Sequence, residues 1–337
     1  MRPADALDRI VYLLDRSLAE PAKVRAFARA RDVVGEVGDA EVERLHAAGS
    51  LTDLPGIGPS TGRVIAEALA GEVPGYLARL EEETTVPLGE GADLRAALRG
   101  DCHTHSTWSD GGASIERMAR TAIDLGHEYM VLTDHSPRLT VAHGLDAARL
   151  RRQLAEVDAL NERLAPFRIL TGIEVDILED GRLDQDEELL ARLDVVVASV
   201  HSKLRMAEGE MTRRMVVAVA SPHVDVLGHC TGRKLVGRGR PPSAFDAEVV
   251  FAACARFDTA LEVNCRPERQ DPPDDLLELA AGWGLRFAID TDAHAPGQME
   301  WQALGCDKAA RHGIGADRVV NALAAEDLVA WAASHAP

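Results

Sequence analysis

The chain has 337 residues, 46% of them apolar, which is enough for one large domain or two with ample core. Its formal net charge of −18 excludes broad electrostatic attraction to nucleic acid, so any DNA contact must be local. No apolar run reaches membrane-spanning length and the N-terminus lacks a signal-peptide pattern, so no membrane partner is expected and the cytoplasm is the expected compartment.

In chain order, residues 1–83 read as a helical domain. Ala6, Ile10, Leu13 and Leu14 recur at helical spacing, followed less regularly by Val24, Phe27 and Ala28. Helices expected over 42–48 and 60–69 flank the stretch Leu54-Pro-Gly-Ile-Gly58. Its two glycines permit a tight turn that presents backbone N–H groups at the start of the second helix, and such a helix start favours an anion such as a nucleic-acid phosphate. Gly56, Ile57 and Gly58 are therefore the candidate DNA contacts, with Arg25, Arg29 and Arg63 near them. The alternative is a helix–helix turn without a ligand. Residues 1–90 carry ten Lys and Arg against sixteen Asp and Glu, so this module should bind DNA weakly by itself. Residues 84–98, with Pro87, Gly89 and Gly91, read as a linker that ends in a short helix.

Residues 99–337 form the expected second domain. Strand-like runs alternate with helical stretches at 114–125, 146–164, 186–193, 244–256 and 273–283, before terminal helices at 316–333. That alternation predicts an α/β fold with a parallel sheet closed, or nearly closed, into a barrel. Six of the seven strand runs end in histidines or carboxylates, at His103 and His105, His135, Glu174, His201, His229, and Asp292 with His294; the seventh, 261–264, ends in an amide. Strand ends that carry ligands are where α/β barrels put their active sites. His103 and His105 lie two apart on an extended strand and share a face; Asp292 and His294 repeat that spacing, and Glu174 can bridge two ions. Imidazole and carboxylate together suit Zn²⁺, Mn²⁺ or Fe²⁺, and about nine donors exceed what one ion needs, so a multinuclear metal hydrolase is expected.

Other residues of this half read as follows. Cys102 and Thr104 should face away from His103 and His105, and all five cysteines read as buried, reduced thiols. Asp134 and Asp290 sit beside ligands and are placed to orient imidazoles. His46, His127, His223, His312 and His335 have no partner pattern, and His143 reads as a surface residue. Lys203 and Arg233 are candidates to stabilise phosphate charge in the substrate. The run from Arg233 to Arg240 holds four basic residues in eight and is a candidate DNA-backbone contact; the alternative is a solvated loop.

Residues 99–335 resemble the PHP (polymerase and histidinol phosphatase) domain family. The matching motifs are Gly100-Asp-Cys-His-Thr-His-Ser-Thr-Trp-Ser-Asp-Gly111, Leu132-Thr-Asp-His-Ser136, Ala198-Ser-Val-His-Ser202, Gly228-His-Cys-Thr-Gly-Arg233 and Ile289-Asp-Thr-Asp-Ala-His294. The pattern is most like the PHP domain at the C-terminus of bacterial X-family DNA polymerases, apart from Cys230, where that family carries proline. The resemblance implies a distorted seven-stranded (β/α)7 TIM-like barrel behind a small all-α helix-hairpin-helix domain. It also implies three metal positions: His103, His105, Glu174 and Asp292; Glu174, His201 and His229; Asp110, His135 and His294. Glu174 and Asp292 would act in catalysis as ligands of the ions that activate water. Residues 5–83 resemble the small N-terminal domain of X-family polymerases. Val64 stands where that family has the lysine that forms a Schiff base with an abasic sugar, and Lys23 is the module's only lysine, so lyase activity is not expected. No room is left between the two parts for a polymerase palm.

These readings together lead us to expect a phosphoesterase with two or three divalent ions. It would act on DNA as a 3′–5′ exonuclease or 3′-end-processing enzyme of DNA repair, with abasic sites as a further target and other repair proteins as partners, and without polymerase activity. Two alternatives stand beside it: a small-molecule phosphatase of the histidinol-phosphatase type, and a non-catalytic repair scaffold.

Overall fold

The computed structural model describes residues 1–335, which fall into two units, Met1–Val86 and the stretch from Pro87 onward. The first unit is all helical: α1 (Pro3–Arg16), α2 (Pro21–Val37), α3 (Asp39–Ala47), α4 (Pro59–Leu69) and α5 (Gly75–Glu83). Proline opens α1, α2 and α4, where its missing N–H costs nothing and its fixed φ suits the first turn. Leu7, Ile10, Leu13 and Leu14 of α1 meet Phe27 and Val34 of α2 and Val64 and Ile65 of α4 in one apolar cluster. A 3₁₀ turn, Leu51–Asp53, leads from α3 into the turn before α4. Gly56 there has φ +103°, and a Cβ would press on the Arg29 side chain at 3.0 Å, so a side chain is disfavoured twice over. Ile57 buries its side chain in the core, leaving only its backbone to offer a ligand.

The second unit opens with α6 (Ala92–Ala97) and then alternates strand and helix: β1 (Gly100–Thr104), α7 (Ile115–Asp124), β2 (Tyr129–Leu132), α8 (Ala147–Leu164), β3 (Arg168–Asp176), α9 (Glu187–Leu190), β4 (Val195–Ser199), α10 (Glu208–Val219), β5 (Val226–Leu227), α11 (Ala247–Phe257), β6 (Ala260–Asn264), α12 (Asp274–Gly282) and β7 (Phe287–Asp290). Side chains of Ser114, Asp146 and Asp246 cap α7, α8 and α11, each cap contributing about 1 kcal/mol. The seven strands are parallel and lie in sequence order. A bridge between Thr104 and Ala293, and the His105 N–H bond to the Ala293 carbonyl at 2.8 Å, bring β1 back to β7 and nearly close the barrel. After α13 (Gln302–Arg311), helix α14 (Ala325–Ala333) brings Leu328 and Trp331 against Tyr129, Val131, Val195, Val197 and Val226, the inward-facing residues of the strands. The N-terminal end of the barrel is thereby filled. Among the described residues no helix is long and apolar enough to cross a membrane.

Two expectations change. The β1–β2 register slips between Asp101 and Thr104, a bulge that breaks strict alternation. Cys102 joins the barrel's inner cluster although the next residue, His103, also points inward to Glu262. Residues 87–98, read as linker, are built into the second unit: the Gly89 and Gly91 N–H groups bond the Asp307 carboxylate at 2.8–3.0 Å, and α6 packs on α13. The partner lies some two hundred residues away in sequence, which no local pattern signals.

Candidate metal centre

The C-terminal strand ends gather nine donor side chains. His103 comes from β1 and His105 follows it; Asp110, His135, His201, His229, Asp292 and His294 sit on the loops after their strands, and Glu174 lies within β3. Glu174 is central. Its Oε1 is 2.8 Å from His229 Nε2 and 3.2 Å from His201 Nε2, and its Oε2 is 2.7 Å from His135 Nδ1, 3.5 Å from His103 Nε2 and 3.7 Å from His105 Nε2. Asp292 Oδ1 is 3.5 Å from His105 Nε2 and from His294 Nδ1, and 4.0 Å from His103 Nε2. Asp110 Oδ1 lies 3.3 Å from His294 Nε2 and 3.5 Å from His135 Nε2.

Three overlapping groups have donor atoms close enough to share an ion: His103, His105 and Glu174; His135, Glu174 and His201; His105, Asp110, His135 and His294. They differ from the expected sets in detail. His105 also reaches the outer group, and His135 reaches the group expected to hold His229, which itself approaches Glu174 from the other side. Gly228 permits that approach, since a Cβ there would meet Ser199 Oγ at 2.3 Å. Asp292 adopts φ +51°, a left-handed conformation that Asp tolerates better than most residues.

The donors fit metal ions. His103 Nε2, both ring nitrogens of His105 and His201, His135 Nδ1 and Glu174 Oε2 are shut from solvent without a hydrogen-bond partner. Each such orphan costs about 1–3 kcal/mol if nothing binds it. Charge states are divided: the two carboxylates and His105 rest in the forms that ligate, while, against burial, neighbouring carboxylates hold His103 and His201 protonated until an ion displaces the proton. Burial opposes charge on Glu174, but His201, His135 and His103 hold it well below the usual carboxylate range. Burial likewise opposes charge on Asp292, which Arg266 and His103 outweigh. Burial, with His294 and His135 beside it, keeps His105 neutral. His201 is pulled up to about 9, against burial, by Glu174 and Asp176.

Glu262, which lies within the seventh strand run and carries no sequence signal of its own, anchors this layer. Its Oε1 lies 2.5 Å from His103 Nδ1, which places the proton on Nδ1 and turns Nε2 to the centre; its Oε2 accepts the His229 backbone N–H at 2.5 Å. Asp134 accepts from Ser106, Ser109 and Gln153 and so braces the loop that carries Asp110 rather than an imidazole. Asp290 accepts from the Cys102 N–H and from Asn321. All five cysteines are free and buried.

The expected phosphate residues separate. Lys203 is exposed on the loop after β4. Arg233 is not available: its guanidinium donates to the carbonyls of Arg269 and Gln270. The basic run folds back on itself through a Lys234–Arg240 bridge and is tied to the 266–270 loop by the Leu235 N–H bond to the Glu268 carbonyl at 2.7 Å. Burial, with Arg269, Arg240 and Arg266 around it, lowers the Lys234 ammonium, which marks a local concentration of positive charge. That loop also carries two arginines the sequence reading passed over. Arg266 reaches Asp292 and His294, and Arg269 Nε is 3.4 Å from Asp292 Oδ2.

In the helical unit, the turn before α4 borders a cleft of about 630 Å³ whose lining includes Lys23, Gly56, Gly58, Arg63, Tyr76 and Arg79. The Gly58 N–H bonds Thr61 Oγ1 at 2.9 Å, so it is engaged within the turn.

Comparison with known proteins identifies the family. The PHP domain family matches residues 101–231. The chain is 41% identical over 234 residues to the DNA polymerase/3′-5′ exonuclease PolX of Bacillus subtilis (strain 168), a match covering 69% of this chain but 41% of that protein. It is 30% identical over 236 residues to a probable phosphatase of Thermoanaerobacter sp. (strain X514), covering 66% of this chain and 89% of the relative. Among solved structures, the histidinol phosphate phosphatase of Lactococcus lactis subsp. lactis Il1403, complexed with zinc, L-histidinol and phosphate, aligns with TM-score 0.44 and 18% identity, covering 65% of this chain and 94% of that one. The chain belongs to the PHP domain family.

Proposed function

We propose that the chain hydrolyses phosphodiesters at DNA ends, as a 3′–5′ exonuclease or 3′-end-processing enzyme of repair, using two or three divalent ions. The metal-dependent phosphoesterase class follows from the family and the donor set together; DNA as substrate is the proposed part. One observation carries it: in a chain of net charge −18, a run with four basic residues in eight, 233–240, packs against the loop that brings Arg266 and Arg269 to Asp292. The cleft with Lys23, Arg63 and Arg79 adds a second cationic feature in the helical unit. The likeness to a polymerase/exonuclease supports the same reading, although this chain spans less than half of that relative's length.

His103, His105, Glu174 and Asp292 would hold the first ion, Glu174, His201 and His229 the second, and Asp110, His135 and His294 the third. Bound divalent ions supply Lewis acidity and an activated water for attack on phosphorus. The chain's own part is to keep Glu174 and Asp292 ionised, to hold His103 in one tautomer through Glu262, and to present cations to the substrate's phosphates.

The test is an assay of metal-loaded protein with a 3′-labelled oligonucleotide, bis-p-nitrophenyl phosphate and a phosphomonoester. Release of labelled nucleotide at a rate well above phosphomonoester turnover is expected, most visibly at low salt. The likeness to probable phosphatases over 89% of a relative's length favours a second reading, a small-molecule phosphatase. Turnover confined to the phosphomonoester would select it.

A further inference from the structure

We propose that the hairpin 234–240 is a strand-separating wedge, which drives Leu235 and Val236 into the last base pair of a duplex end while the cations around it hold the phosphates. The inference rests on the DNA reading above and deepens it by naming the form of DNA end that the site accepts.

The hairpin is braced. Lys234 and Arg240 exchange both backbone N–H bonds at 2.9 Å. Gly237 at φ +68° and Gly239 at φ +63° turn the chain between them, and the Gly239 N–H closes on the Val236 carbonyl at 3.2 Å. The stem is fastened on two sides. Arg240 Nε donates to the Gly232 carbonyl at 2.6 Å, and the Leu235 N–H to the Glu268 carbonyl at 2.7 Å. A Cβ on Gly232 would stand 3.0 Å from Leu204 Cδ2, so the loop after β4 lies against the stem as well. The hairpin is thus held between the loops that follow β4 and β6, at the end of the barrel that carries His201, His229 and His294.

Its tip is apolar and its surroundings are cationic. Leu235 is 53% exposed and Val236 57%, and among the described residues they are the only two large apolar side chains so exposed that are adjacent in sequence. One exposed apolar residue needs no explanation, whereas a pair presented on a braced turn does. Lys234 and Arg238 are exposed on the hairpin itself, and Lys203 and Arg205 on the flanking loop. In a chain of net charge −18, the stretches 195–207 and 226–245 contain no Asp or Glu. That charge pattern selects a polyanion and disfavours the acidic surface of a second copy. Apolar side chains flanked by Lys and Arg open DNA steps in this way: they take the place of base stacking while the cations keep the backbone. The centre gives the opening a use. His103, His105 and Glu174 have no exposed side-chain surface, so a terminal nucleotide freed from its partner strand suits the site better than a paired one.

The experiment compares the metal-loaded wild type with the double variant Leu235→Ser, Val236→Ser, which leaves every cation in place. Ion content and hydrolysis of bis-p-nitrophenyl phosphate report whether the centre is intact. Release of 3′-labelled nucleotide is measured on a blunt duplex and on the same strand alone. End opening is read from the fluorescence of a 3′-terminal 2-aminopurine in a duplex with phosphorothioate end linkages, which rises when the base unstacks. We expect the wild type to raise that fluorescence and the variant not to, with release from the duplex slower by about tenfold and the single strand and the small diester little changed. The proposal is overturned if the variant digests the duplex as fast as wild type, or if both proteins raise the fluorescence equally. It is also overturned if duplex and single strand slow equally, which would make the tip a general contact. A variant whose sole change is a shift from dimer to monomer in light scattering would make the tip a self-association surface and overturn it too. If wild type hydrolyses the diester but no oligonucleotide, the DNA-hydrolysis reading fails, yet the fluorescence still decides whether the hairpin opens an end.

Discussion

The two units bury different things. The helical unit encloses an apolar cluster, and among its described residues only Arg16 and Thr61 are buried polar side chains. The barrel buries eight of the nine candidate ligands to at least three quarters, together with Glu262, Asp101 and Asp290. The first pattern draws its stability from hydrophobic burial. The second carries desolvated charge and orphaned ring nitrogens that only a bound cation relieves. The lesson is that one unit is expected to reach its full stability from its sequence alone, while the other depends on what it binds.

The strongest attempt to break that contrast is Glu174→Ala. Every candidate position meets at or beside this carboxylate, so kcat/KM on bis-p-nitrophenyl phosphate should fall by on the order of 10³ and ion content should drop. Retention of a tenth of the rate would deny Glu174 the central role. Chelation comes next. Removing ions held at a thousandfold excess over Kd withdraws about 4 kcal/mol per ion, so with two ions lost the barrel's calorimetric transition should move down by roughly 20 °C. The helical unit's transition should stay in place; equal movement of both would erase the distinction. Glu262→Gln keeps the shape but weakens the hold on His103 Nδ1, and a 10- to 100-fold loss of ion affinity is expected by competition titration. An unchanged affinity would reduce Glu262 to packing. The smallest effect belongs to the other unit. Thr61→Ala removes the hydroxyl bonded to Gly58 and should cost about 1 kcal/mol there, with no change in hydrolysis of a small diester.

Much of the centre was legible because parallel strands put their chemistry at one end and six strand runs finish in donors, so counting along the sequence reaches the right loops. What stayed hidden depends on partners remote in sequence. Glu262 looked like an ordinary strand residue until β6 was set across the barrel from His103. Arg266 likewise drew no notice, because the Asp292 carbonyl and His294 that it reaches lie more than twenty residues further along the chain. Alternation along β1 misled about Cys102 because a bulge adds a residue, and bulges leave no reliable mark in composition. Strand lengths were also overread: β5 has two residues, and the rest of the expected run is loop that carries His229.

With α14 packed on its lower end, the barrel's interior is filled there, and the candidate ligands stand at the opposite end. Its candidate ligands are graded by depth. His103, His105 and Glu174 have no exposed side-chain surface, His201 has 12%, and His294 and Asp110 at the rim have 22% and 35%. This gradient of exposure predicts an order of ion exchange. Slow chelation should remove an ion at the exposed rim in a fast phase and those held by the buried ligands in a later one.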